Sequence, residues 1–124
     1  MKVVALDFGS ARTGVAVSDP TGTVARPLAT IQRVASDAGF AKLLAVIESE
    51  EPELVVVGMP LTLRGEHGEQ ALETSAFVER LRAAQPTPVE TYDERFTSVL
   101  ADGDDARAAA HLLSSYLEWQ SARR

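Results

Sequence analysis

The 124-residue chain has no cysteine and only two histidines. Without cysteine there is no disulfide and no thiolate metal site, and with only two histidines the chain does not point to a zinc centre. Long hydrophobic runs are missing as well, since no apolar stretch approaches the roughly 20 residues that span a bilayer. Lys2 and then Asp7 interrupt the N-terminal stretch, which does not fit a signal peptide. The expectation is a cytoplasmic protein with no membrane partner. Serine-type hydrolysis also lacks support, because Ser10, Thr62 and Ser98 have no His-Asp partner pattern.

What is present has ordinary globular proportions, 45% apolar and 24% charged, at a length that suits one domain over residues 1–124. The net charge of −6 argues mildly against nucleic-acid binding, which usually leaves a basic footprint. Net charge misleads where cations and anions are segregated, however. Ten of the 12 basic residues are Arg, the better phosphate partner where bidentate geometry matters. Arg12, Arg64 and Arg95 fall in predicted loops. Glu48, Glu50, Glu51 and Glu53 cluster at one helix end and read as a solvated face elsewhere.

Val3-Val4-Ala5-Leu6-Asp7-Phe8-Gly9 reads as a first strand, apolar on both faces as in strands covered on both sides. Alternation puts Val3, Ala5 and Asp7 on one face and Val4, Leu6 and Phe8 on the other. A turn-rich loop, Gly9 to Gly14, leads to a second strand over Val15-Ala16-Val17-Ser18. Asp19-Pro20-Thr21-Gly22 is a second turn. Thr23 to Ile31 makes a third strand, and Pro27 places it at an edge or makes it irregular.

Ser36 or Asp37 suits an N-cap, and Phe40, Leu43, Leu44 and Ile47 predict an amphipathic helix over 37–50. Leu54 to Gly58 is a short apolar strand, followed by a polar loop from Leu61 to Gly68. Ala71, Ser75, Val78 and Leu81, widened by Phe77, give a second helix its buried stripe. Pro86 and Pro88 end that helix and lead to a fifth strand, Val89 to Tyr92. A last helix runs from Asp105 to about Arg123, with Ala109, Leu112, Leu113, Tyr116 and Leu117 inward. Trp119 reads as the rim of that stripe, and His111 as pointing away from it. The order β-β-β-α-β-α-β-α implies an α/β fold with a five-stranded mixed sheet flanked by helices.

Three regions place acids where strands end: Asp7, the pair Asp93 and Glu94, and Asp105 at the start of the last helix, in phase with Ala109. The C-terminal ends of strands 1, 4 and 5 would open on one edge, where α/β sheets bind ligands. An unpaired carboxylate inside an apolar strand is costly unless a partner or cation compensates it. Hard divalent ions such as Mg²⁺ prefer oxygen ligands, and a two-metal site could hydrolyse phosphodiesters. Each acid also has a plainer reading. Asp7 could cap its turn, Asp93 a turn or short helix, and Asp105 the last helix. Glu94 and Arg95 could form a surface ion pair.

Ala5-Leu6-Asp7-Phe8-Gly9 with Arg12-Thr13-Gly14-Val15-Ala16-Val17-Ser18-Asp19, then Val56-Val57-Gly58-Met59-Pro60 and Gly65-Glu66-His67-Gly68, are joined by two further segments. These are Tyr92-Asp93-Glu94-Arg95-Phe96-Thr97 and the run from Asp105 to Leu117. In that order and over nearly the whole chain they closely resemble the YqgF/RuvX family, the Holliday-junction-resolvase-like nucleases of pre-16S ribosomal RNA. The resemblance implies a ribonuclease-H-like fold and an endonuclease dependent on Mg²⁺ or Mn²⁺. It makes Asp7, Asp93, Glu94 and Asp105 the catalytic acids, with Asp7, Asp93 and Asp105 as metal ligands and Glu94 second to Asp93. Arg12 and Arg95 become candidates for phosphate contact or for orienting the carboxylates, and Arg64 a further nucleic-acid contact. Thr97 reads as a helix cap.

Between Thr97 and Asp105 the chain departs from the family pattern, which carries a longer helical, basic segment there. Weaker or altered substrate binding is the expectation. Within the nuclease reading, precursor 16S rRNA and four-way DNA junctions are the competing substrates, and the second would favour a homodimer. Two other classes compete with it. One is a nucleotide binder akin to actin-like ATPases, which 124 residues are too few to complete. The other is a catalytically silent nucleic-acid-binding module.

Overall fold

The computed structural model describes residues 1–60, 68–94 and 104–123. Its elements run β1 (Val3–Asp7), β2 (Arg12–Ser18), β3 (Ala25–Gln32), α1 (Asp37–Glu50), β4 (Leu54–Met59), α2 (Glu69–Ala84), β5 (Val89–Asp93) and α3 (Asp105–Ala122). The sheet order is β3-β2-β1-β4-β5. β1, β2 and β3 form an antiparallel meander, whereas β4 and β5 join parallel to β1. The mixed five-stranded sheet read from the sequence is therefore present.

Period-two alternation divides the core into two layers. Val4, Leu6, Val15, Val17, Val55 and Val57 meet α1 and α2 on one face, and Val3, Ala5, Ala16 and Val56 meet α3 on the other. Both faces of β1 are sealed, so Val3 through Leu6 are all fully buried. Ser36 caps α1 by accepting from the Gly39 amide at 3.1 Å. Pro27 lies on the edge strand β3, beside the register shift opposite Val15 and Ala16. Proline donates no ladder hydrogen bond, and an edge or bulge tolerates that loss.

The structure corrects several details. β2 starts at Arg12, not Val15, because Thr13 and Gly14 already pair with Ile31 and Thr30. In α2 the buried position is Thr74, with Ser75 only half-buried; the Thr74 hydroxyl donates to the Gln70 carbonyl at 2.9 Å, which satisfies it inside the core. Asp104, not Asp105, caps α3, accepting from the Arg107 amide at 3.1 Å. That leaves the Asp105 carboxylate free of the capping role. Among the described residues no helix is long and apolar enough to cross a membrane.

Candidate active site

Asp7 ends β1 on the α3 face, the face it shares with Val3 and Ala5. Its cross-strand partner is Gly14, and the first turn of α3 lies directly on that glycine. A Cβ at Gly14 would run into the Asp105 backbone carbonyl, so only a residue without a side chain lets α3 settle here. Asp105 is brought beside Asp7 as a result, and its charge helps to push the Asp7 carboxyl upward. Asp104 and Asp105 also sit at the positive end of the α3 dipole, where negative charge is favoured.

The third acid arrives from β5. Tyr92 belongs to the layer facing α3, so Glu94, two residues later, shares that face, while alternation turns Asp93 to the opposite one. Glu94 reaches Asp7 across β4 by passing over Gly58. A Cβ at Gly58 would lie 2.5 Å from Glu94 Oε1 and 2.8 Å from its Cγ. Glu94 is thus turned inward toward Asp7. Asp93, read as the metal ligand ahead of Glu94, is half-buried at the end of β5 opposite Met59 and acts on Glu94 through its charge.

Glu94 and Asp7 hydrogen-bond through their side chains, and two carboxyls can do so only by sharing a proton. Burial is the main reason the Glu94 carboxyl rises from an ordinary 4.5 to about 8; the bond to Asp7 and the charges of Asp7 and Asp93 add to it. Asp7 is raised too, first by burial and then by the Asp105 charge, against the lowering effect of the bond from Glu94. The bond raises the Glu94 carboxyl and lowers that of Asp7, so Glu94 donates and Asp7 accepts.

Arg12 opens β2 and sets its Nε 3.2 Å from Asp105 Oδ2. The Thr13 hydroxyl, buried, spans the preceding loop: it accepts from the Gly9 amide and lies within reach of the Gly9 carbonyl, both at 3.4 Å. Arg64 and Arg95 lie outside the described residues. Among the described residues no three acids or histidines stand as a ready metal-ligand group. The reason is visible in the pairing: Asp7 and Glu94 hold each other, and Asp105 is turned onto Arg12. The donor set nonetheless has the chemistry of a hard divalent ion, all carboxylate oxygen and short of positive charge.

Gly14 and Gly58 are the positions that sequence reasoning passed over as working residues. Their signal was a glycine inside an apolar strand, which marks a close approach.

The profile of the RuvX family, described as Holliday junction resolvase, matches residues 1–110. A protein of Chloroflexus aggregans named "Putative pre-16S rRNA nuclease" is 43% identical over 100 residues, covering 81% of this chain and 70% of that protein. One of the same name from Oleidesulfovibrio alaskensis is 37% identical over 139 residues, covering 100% and 96%. For a Chloroflexus aurantiacus relative the match spans 65% of its length. Among solved structures, Thermus thermophilus RuvC in complex with a Holliday junction substrate superposes with a TM-score of 0.58 at 18% identity, covering 98% of this chain and 96% of that one. At that identity the likeness speaks for the fold alone, a ribonuclease-H-like one of the RuvC type. By the extent of the profile match and the identity to these relatives, the chain belongs to the RuvX family.

Proposed function

We propose that the chain is a divalent-metal-dependent endonuclease that hydrolyses phosphodiester bonds of structured nucleic acid, acting in the maturation of the 5′ end of precursor 16S rRNA. The observation that carries this reading is the convergence of Asp7, Glu94 and Asp105 on one sheet edge, two of them sharing a proton. Such an arrangement is unfavourable for folding and serves a reaction that needs concentrated negative charge. Family membership and the names of the relatives support the substrate class.

Asp7, Glu94 and Asp105 would hold Mg²⁺ or Mn²⁺, with Asp93 contributing charge from behind. An ion bound there would supply an activated water and neutralise charge on the leaving oxygen. Glu94 must release its proton to take part, and Asp105 must leave Arg12. The freed Arg12 guanidinium then faces the same edge, where it can pair with a backbone phosphate. Buried β1 and β4 on one side and α3 on the other hold the backbone that carries these carboxylates, so only the side chains need to rearrange on binding.

Purified protein and its Asp7→Asn variant, given end-labelled precursor 16S rRNA with Mn²⁺ or with EDTA, test the reading. Metal-dependent cutting that disappears in Asp7→Asn is expected. Binding without cutting by a folded protein would leave a silent binding module instead.

Resolution of four-way DNA junctions is the second reading, favoured by the family description. It requires two sites cutting paired strands and hence a homodimer. A four-way junction in the same assay, with the mass of the protein in solution, separates the two substrates.

A further inference from the structure

The opposite face of the same sheet edge carries a cavity that the carboxylates do not use. Along β1 and its continuation Asp7 turns toward α3, and Phe8 turns toward α1 and α2. Phe8 stacks on Phe77 of α2 with ring centroids 4.6 Å apart and planes inclined by 22°. Phe40 also meets Phe77, edge-on at 6.4 Å. Beside the two rings opens a cavity of about 430 Å³, walled by Ala35 and Ala76 and rimmed by Glu73 and Arg80. That is within the range of small-ligand pockets, about 300–1,000 Å³.

Arg80 is fixed rather than loose. It donates to the Ala35 carbonyl at 3.0 Å and to Asp37 at 3.1 Å, and its guanidinium carbon lies 3.9 Å from the Phe40 ring centroid. The cavity therefore offers aromatic surface at its base and, at its rim, one fixed cation and one carboxylate. Proteins hold unpaired nucleobases with these two components, a ring to stack on and polar groups to meet the base edge. A base inside a duplex has both faces covered by its neighbours and cannot use such a cavity.

We propose that this cavity takes an unpaired nucleobase adjacent in the strand to the phosphate engaged at Asp7, Glu94 and Asp105. Asp7 and Phe8 are consecutive, their Cα atoms about 3.8 Å apart. The strand need only lay one base around the sheet edge past Ser10, which lines the opening. The proposal rests on the nuclease reading and adds to it a requirement for single-stranded character beside the cut.

The test uses the full chain, Ca²⁺ in place of the catalytic ion, and short single-stranded RNAs carrying 2-aminopurine at each position in turn. Ala76 is exposed on α2, so Ala76→Phe fills the cavity from outside without entering the core. Wild-type protein is expected to quench the probe at one or two positions. Ala76→Phe should remove that quench and weaken binding about tenfold or more, while Ala76→Ser keeps both. Asp7→Asn should keep the quench, and the same RNA in a perfect duplex should show none. Equal quenching and affinity in wild type and Ala76→Phe would overturn the base site, and retained Mn²⁺-dependent cutting in both would leave the nuclease reading standing. A quench that Ala76→Phe removes, in a protein that cuts nothing, would support the base site and sink the nuclease reading.

Discussion

The two ends of the sheet both gather acids, and they put them to opposite uses. At the N-terminal ends of β1 and β4, Glu50 pairs with the Lys2 ammonium at 3.2 Å and Glu53 accepts from the Lys2 amide at 3.4 Å, while Glu48 and Glu51 nearby in sequence are exposed. Water screens these charges. At the other end, where β1 and β5 finish, Asp7 and Glu94 are withdrawn from water and forced to share a proton. Residue type does not separate the two clusters. Desolvation does, and desolvation is set by α3 lying across β2 at Gly14 and by the open path over Gly58. The acids meet here where the backbone has cleared space for them.

The largest effect that can break this comparison is on activity. Asp7→Asn or Glu94→Gln should lower the rate of metal-dependent cleavage at least about a hundredfold, since even partners of metal ligands cost 10–100-fold when replaced. Glu50→Gln and Glu53→Gln should leave the same rate unchanged. Comparable losses at both ends, measured on the same substrate, would dissolve the distinction.

The glycines sharpen the comparison at the next level. Gly14→Ala sets a Cβ against backbone, which cannot step aside. It should cost about 1–3 kcal/mol of stability by chemical denaturation, as overpacking does, and abolish cleavage with it. The three atoms nearest a Cβ at Gly58 all belong to the Glu94 side chain, which can swing away in Gly58→Ala. Its denaturation midpoint should move less than that of Gly14→Ala, while activity falls nearly as far as in Glu94→Gln.

A separate effect is expected in pH dependence. The folded state keeps the Glu94 proton up to about pH 8, and the unfolded chain releases it near 4.5. The fold therefore binds more protons than the unfolded chain between those limits. The stability that Glu94 contributes is complete below about 4.5 and is lost as pH rises through 8. Asp7, also raised, adds in the same direction. Thermal melts in EDTA should show wild type losing ground to Glu94→Gln across that window, and a divalent ion should restore it. No difference in slope between the two proteins would mean that the pair is not desolvated. The smallest effect belongs to the solvated end, where Glu50→Gln should change stability by no more than about 1 kcal/mol.

Much of the frame could be read from residues. Ser36 followed by apolar residues at helical spacing marked α1 to its ends, and the stripe from Ala109 to Leu117 marked the buried face of α3. The unbroken apolar run at Leu54 marked β4 as a strand covered on both faces. Such readings succeed because period and capping are local. Which of Asp93 and Glu94 meets Asp7 was not local. β5 buries Val89 on one face and Tyr92 on the other, so its own alternation did not say which face carries the site. Only the register of Gly58 against Tyr92 shows that Glu94 has an open path to Asp7.

The sequence by itself determined the strands and helices, their order, and the presence of acids at three strand or helix ends. Hydrophobic period, capping residues and turn chemistry act over a few positions and need no partner from elsewhere in the chain. Which carboxylates meet, which of them carries the shared proton, and which acids stay solvated were decided by tertiary structure alone. Those properties depend on desolvation and on distances between residues as far apart in the chain as Asp7 and Glu94, and the packing of the sheet against α3 sets both.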